Sequence, residues 1–123
     1  MSSFAAQLAE ATAAESAAST APSGTLNAAG VDPAQWSRDF LERLGMPVTS
    51  ENMRVMNAWQ QAEGTRARFN PLATTQNWNG ATQFNSVGVK NFATYEDGLA
   101  ANLKVINNCR YGNILDALRA GTS

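Results

Sequence analysis

The sequence predicts a small, mainly helical α+β domain: helices around one core, a short β-hairpin, and an alanine-rich N-terminal helix or disordered leader in front. Three observations carry that expectation. Between Asp32 and Gly121, four stretches place large apolar residues three and four positions apart, the period of one helix face. Residues 65–92 interrupt them with few helix formers and many Asn, Gln, Thr and Gly. All three tryptophans and nearly all the bulky aliphatic residues follow residue 30, so the core must form from roughly 90 residues, which is small but workable. The chain of 123 residues allows one domain, spanning 32–123, behind a leader and linker over 1–31.

Residues 1–31 form a low-complexity Ala/Ser/Thr tract. Alanine favours helix, and Phe4, Leu8 and Ala11 fall at helical spacing, which suits a short helix over 3–18. The tract has little apolar bulk to anchor such a helix, so the reading stays open between a disordered leader and a segment that orders on a partner. Pro22-Ser23-Gly24 ends any helix, and residues 20–31 read as a linker.

The first core helix opens at Asp32-Pro33-Ala34-Gln35, a capping-box pattern with proline in the first turn. Trp36, Phe40, Leu41 and Leu44 share its buried face, and Gly45 and Pro47 stop it. Thr49-Ser50-Glu51 opens the second helix, whose stripe is Met53, Val55, Met56, Trp59 and Ala62, ending at Glu63-Gly64. Thr82 to Phe92 alternates partially and reads as one or two short strands, with turns at Asn79-Gly80 and Gly88. Thr94-Tyr95-Glu96-Asp97 repeats the capping-box pattern before a helix that buries Tyr95, Leu99, Leu103 and Ile106. After a turn at Tyr111-Gly112-Asn113, Ile114, Leu115 and Leu118 pack a last short helix.

Composition excludes several chemistries. There is no histidine, which removes Ser-His and Cys-His catalysis and the commonest zinc sites; no metal or cofactor is expected. The lone Cys109 has no internal disulfide partner and no base beside it, and reads as a buried or neutral helix-end residue. Nine positive and seven negative charges follow Pro33, too slight an excess for a nucleic-acid surface. No apolar run is long enough for a membrane span, and the N-terminus lacks the basic and apolar regions of a secretory signal.

Glu63 stands out. It is the last acid before Glu96, at the C-terminal end of a helix, and a neutral polar segment follows it. The helix macrodipole there disfavours negative charge and favours the protonated carboxyl a general acid needs. The alternative is a solvated helix end, or an ion pair with Arg66 or Arg68. Glu96 and Asp97 are explained by helix-start electrostatics. The amide and hydroxyl groups of the 65–92 segment, with Trp78, Phe84, Phe92 and Tyr95 nearby, suit a sugar cleft, although such composition also describes an ordinary loop.

The segments Ala62-Glu63-Gly64, Phe69-Asn70-Pro71-Leu72-Ala73-Thr74-Thr75, Gly80-Ala81-Thr82-Gln83-Phe84-Asn85 and Val89 to Ala101 occur in that order. Together they resemble the lysozyme superfamily in its transglycosylase-like and glucosaminidase-like branches, as in small peptidoglycan-degrading domains of phages and actinobacteria. The resemblance covers roughly residues 36–121. It implies that Glu63 is the catalytic acid on a glycosidic oxygen of peptidoglycan, and that Asn70, Thr74, Thr75, Gln83 and Tyr95 line the saccharide cleft. It departs in one respect: a two-carboxylate glycosidase needs a second acid, and none lies between Glu63 and Glu96. A transglycosylase using one glutamate, a hydrolase whose water is set by Thr or Asn, and a non-catalytic glycan-binding or structural domain all remain open. The expected setting is a phage virion or injection apparatus, with residues 1–31 docking to its proteins and the domain acting in the bacterial envelope. The alternative function is a structural component of that particle which keeps a lysozyme-like fold. A plain cytoplasmic helical adaptor is a third, leaving the Asn70–Phe92 loop unexplained.

Overall fold

A computed structural model describes residues 24–107 and 111–121 of the chain. The expected helix over 3–18 and Cys109 lie outside the described residues. Within them the protein is mainly helical with one antiparallel hairpin, the predicted α+β class.

Helix α1 runs Pro33–Leu44. Asp32 caps it by accepting from the amides of Ala34 and Gln35 at 3.1 and 3.4 Å. Its other oxygen accepts from the Gly24 amide at 2.7 Å. The Gln35 side chain donates down the helix to Asp39 at 3.0 Å, not back to Asp32 as a full capping box requires. Trp36, Phe40 and Leu41 are fully buried, and the Trp36 and Phe40 rings stack with centroids 4.9 Å apart.

Helix α2 runs Ser50–Glu63, capped by Thr49 accepting from the Asn52 amide at 3.1 Å. Met53, Val55, Met56 and Trp59 are buried as predicted. Ala62 is exposed, because the last turn of α2 buries the face of Trp59 and Gln60 and leaves Gln61 and Ala62 on the solvent side.

The 24–31 segment differs from its linker reading. The Asn27 carbonyl oxygen of the side chain accepts from the amides of Ala29 and Val31 at 3.0 and 3.2 Å, making a local turn. That turn buries Ala29 and Val31 in the domain, and the Ala29 carbonyl accepts from the Phe69 amide at 2.9 Å. One side chain supplies what composition did not signal, and the folded unit includes these residues.

The chain next enters a loop over 64–81 and a two-residue hairpin. Strands β1 (Thr82–Gln83) and β2 (Lys90–Asn91) pair antiparallel, Thr82 opposite Asn91 and Gln83 opposite Lys90. The backbone around β2 is also tied to the loop: the Phe92 amide donates to the Arg68 carbonyl at 2.9 Å and the Lys90 amide to the Thr74 carbonyl at 3.2 Å. Ala67, Ala73 and Val89 form a small apolar cluster beneath this arrangement.

Helix α3 (Tyr95–Ile106) buries Leu99 and Ile106 and half-buries Leu103 and Tyr95. Helix α4 (Gly112–Ala120) buries Ile114 and Leu118. The Asn52 amide on α2 donates to the carbonyls of Pro47 and Leu118 at 2.8 and 2.7 Å, joining the end of α4 to the start of α2. One core cluster, centred on Trp36, Phe40, Met56, Trp59, Leu72 and Leu99, links α1, α2, α3, α4 and the loop.

Gly98 in α3 has a packing reason. A Cβ there would lie 1.9 Å from the Phe69 carbonyl oxygen, so the helix touches the loop backbone directly. Gly98→Ala is expected to lower stability by about 3 kcal/mol or more, since backbone on both sides resists movement. At Gly112 a Cβ would meet nothing within 4 Å. Gly112→Ala should therefore be neutral or stabilising by up to about 1 kcal/mol. Urea midpoints of the two variants check the contrast.

Candidate active site

Glu63 ends α2, and Gly64 turns the chain away with φ of 54°. The Glu63 side chain lies one turn beyond Trp59, whose indole N–H donates to Oε2 at 3.2 Å. The residue is half-buried. Three ion pairs occur among the described residues: Arg43–Glu96, Arg54–Glu51 and Arg119–Asp116. Glu63 belongs to none of them. The guanidinium of Arg68, one of the two partners the sequence offered, lies 4.8 Å from the Phe69 ring centroid instead.

The loop after Glu63 is held in an unusual backbone shape. Phe69 and Ala73 both have positive φ, 54° and 57°, in the left-handed region that disfavours residues with a Cβ. Such positions cost on the order of 1–3 kcal/mol each and persist where surrounding contacts enforce them. Phe69 is enforced by the Ala29 carbonyl on its amide and by Tyr95, whose ring meets it edge-on at 6.5 Å. Ala73 is enforced by its amide bond to the Asn70 carbonyl at 3.1 Å.

Asn70 organises the rest. Its amide nitrogen donates to the carbonyls of Thr74 and Lys90 at 2.9 and 2.8 Å. Its oxygen accepts from the Thr74 amide at 3.0 Å and from Asn102 at 3.3 Å. One side chain thus closes the 70–74 turn, ties it to β2 and anchors both to α3.

This geometry divides the expected saccharide-lining residues. Asn70 and Thr74 are at most 2 % exposed, so they shape the loop from inside and present no surface to a ligand. The physical reason is that backbone polar groups in and beside the turn need partners: the Asn70 side chain serves those of Thr74 and Lys90, and the Thr74 hydroxyl accepts from the Gln76 amide. Tyr95 is half-buried and also directed inward: its hydroxyl donates to Asp39 on α1 at 2.6 Å. Thr75 and Gln83 are exposed, Thr75 with its methyl beside Gly88 and Gln83 with its amide donating to the Asn85 carbonyl at 2.8 Å. Of the expected set, Glu63, Thr75 and Gln83 therefore offer surface. The sequence reading missed Trp59 as the donor to Glu63, and Asn102 as the second amide beneath the loop. Asn102 left a signal: a polar residue on the apolar face of α3, four positions after Gly98, whose carbonyl accepts from it at 2.8 Å.

Glu96, the next acid after Glu63, is engaged elsewhere. Its hydrogen bonds to the Arg43 guanidinium hold its carboxyl below the usual range. Among the described residues no group of three His, Cys, Asp or Glu side chains could hold a metal ion, and no helix is long and apolar enough to cross a membrane. Comparison with protein-family models, curated proteins and solved structures returned no match.

Two predictions test these contacts. Asn70→Ala strands several buried backbone groups and should cost about 3–5 kcal/mol of stability in denaturant titration. Burial first, and then the bond to Asp39, raise the Tyr95 phenol above its ordinary value. A raised folded value means that the associated stability is complete below pH about 10 and is lost as pH rises above it. Wild-type thermal stability should therefore fall above pH 10 by more than that of Tyr95→Phe.

Proposed function

We propose that the chain cleaves the glycan strands of bacterial peptidoglycan, with Glu63 as the single general acid. One observation carries this reading: a half-buried carboxyl outside the ion pairs among the described residues, gripped by an indole N–H at a helix end, beside an acid-free loop stapled into a strained shape. The indole occupies Oε2, which leaves Oε1 to carry the transferred proton.

The engagement of Glu96 with Arg43 favours the single-carboxylate route. In that route Glu63 protonates the glycosidic oxygen as the bond from the anomeric carbon breaks. The resulting carboxylate then takes the proton from a hydroxyl of the same sugar, whose oxygen closes onto the anomeric carbon and forms an anhydro ring. The proton count closes and no water is consumed. Delivery by a phage or injection particle, with the part of residues 1–31 that precedes the folded unit as the docking segment, belongs to the same proposal.

A second reading is a particle component that keeps the fold without turnover. The inward direction of Asn70, Thr74 and Tyr95 favours it, because it removes three expected contacts from the surface.

Purified peptidoglycan incubated with wild type should release fragments ending in anhydro sugars, identified by mass. Glu63→Gln keeps an acceptor for the Trp59 indole, so it should abolish release while shifting stability by no more than about 1 kcal/mol. Undiminished release by that variant would remove Glu63 from the mechanism. Reducing ends in place of anhydro ends would assign hydrolysis. No release by wild type would favour the structural reading.

A further inference from the structure

The 32 positions 64–95 contain Arg66, Arg68 and Lys90 and no aspartate or glutamate. The fold brings the segments carrying two of these cations together, and the third is close to Glu63 in sequence. Arg66 follows Glu63 by three residues, so its Cα lies within about 11 Å by chain length alone. The backbone then brings Arg68 to the far side of the hairpin: its amide donates to the Asn91 side chain and its carbonyl accepts from the Phe92 amide, both at 2.9 Å. Asn70 holds the Lys90 carbonyl at 2.8 Å, two residues along each segment. Arg68 and Lys90 thus lie on adjacent backbone segments, and Arg66 stands between Arg68 and the end of α2 in sequence.

None of the three takes part in the ion pairs among the described residues, which use Arg43, Arg54 and Arg119; Arg38 and Lys104 take part in none either, but they lie singly on α1 and α3. Arg66 and Arg68 are exposed and Lys90 is half-buried. The Arg68 guanidinium is held over the Phe69 ring, on the part of the loop whose backbone is strained. A cation laid on an aromatic face keeps its N–H edge open while losing rotamer freedom, which favours capture of an anion. Elsewhere on the chain acids outnumber cations, so the strip is a local feature and not a reflection of net charge.

We infer that Arg66, Arg68 and Lys90 form a subsite for carboxylate groups carried by the glycan strand on which Glu63 acts. This rests on the peptidoglycan reading. The carboxylates are those of the peptide side chains borne on alternate sugars. They recur along the same strand as the bond being cut, once on every second sugar, so a strand seated at the acid always carries them nearby. Phosphodiester polymers, attached to the wall more sparsely, lack that regular placement. The subsite would select peptide-bearing strands and set which bond reaches Glu63.

The test uses full-length Glu63→Gln, which leaves the wall intact, and measures its cosedimentation with insoluble peptidoglycan over a salt series. Adding Arg68→Gln and Lys90→Gln should weaken retention about tenfold at low salt and flatten its salt dependence. Arg68→Lys with Lys90→Arg keeps both charges and should retain the parent affinity, which separates charge from folding. Walls whose peptide carboxylates have been amidated with a carbodiimide and ammonium stay insoluble and should be retained as poorly by the parent as intact walls are by the neutralised variant. Walls stripped of phosphodiester polymers should behave as intact ones. Equal retention of the parent and the neutralised variant would overturn the inference, as would retention that falls only when phosphodiesters are removed. If wild type cuts walls while charge removal leaves retention unchanged, the subsite fails and the acid stands. If retention depends on charge but wild type cuts nothing, the acid fails and the strip stands.

Discussion

The four hydrogen bonds of the Asn70 side chain are the constraint on which the rest of the arrangement depends. A loop that visits the left-handed region twice at residues bearing a Cβ does not hold its shape through local preference. It needs a buried partner that satisfies several backbone groups at once. Asn70 reaches the Thr74 turn, the Lys90 carbonyl and Asn102 together, so the loop, hairpin and α3 share one polar centre. A primary amide suits the position because it offers two donors and a carbonyl with two lone pairs within a compact volume. A carboxylate would lose both donors and bring a charge into a site with no exposure.

Around that centre the charged groups separate by task. Arg43 and Glu96 join α1 to the start of α3 on the surface, and Tyr95 bonds Asp39 one layer deeper. These contacts hold the two helices together and draw nearby acids into structural roles. Glu63 stands apart, restrained by an uncharged donor. The distinction matters chemically: a guanidinium would stabilise the carboxylate strongly, whereas an indole N–H orients the group with a weaker electrostatic effect.

Much of the fold was legible in the sequence. The faces built on Trp36, Phe40 and Leu41, on Met53, Met56 and Trp59, and on Leu99 and Ile106 follow directly from helical spacing, because burial of large side chains has a period. The hairpin was legible from its alternation and turn residues. Side-chain capping and long-range amide bonds have no period, and this is where sequence reading stopped. Asn27 turns 27–31 into the domain through its own side chain, a contact that composition cannot distinguish from a polar linker. Asn70 and Thr74 resembled cleft residues because the groups that bind a sugar are the same groups that satisfy a tight backbone. Their burial, which depends on Asn102 and Lys90 arriving from distant positions, decides between those uses. The place of Glu63 at the end of its helix was legible, because Gly64 marks the stop.

The contact between Gly98 and the Phe69 carbonyl bears on how a ligand would be met. With no side chain between them, loop and helix share a backbone surface and leave no gap for a hinge. A polymer approaching Glu63 would encounter a surface already in its bound shape. Little ordering entropy would then be spent in the protein on association. Under the proposed function, the flexible partner would be the glycan.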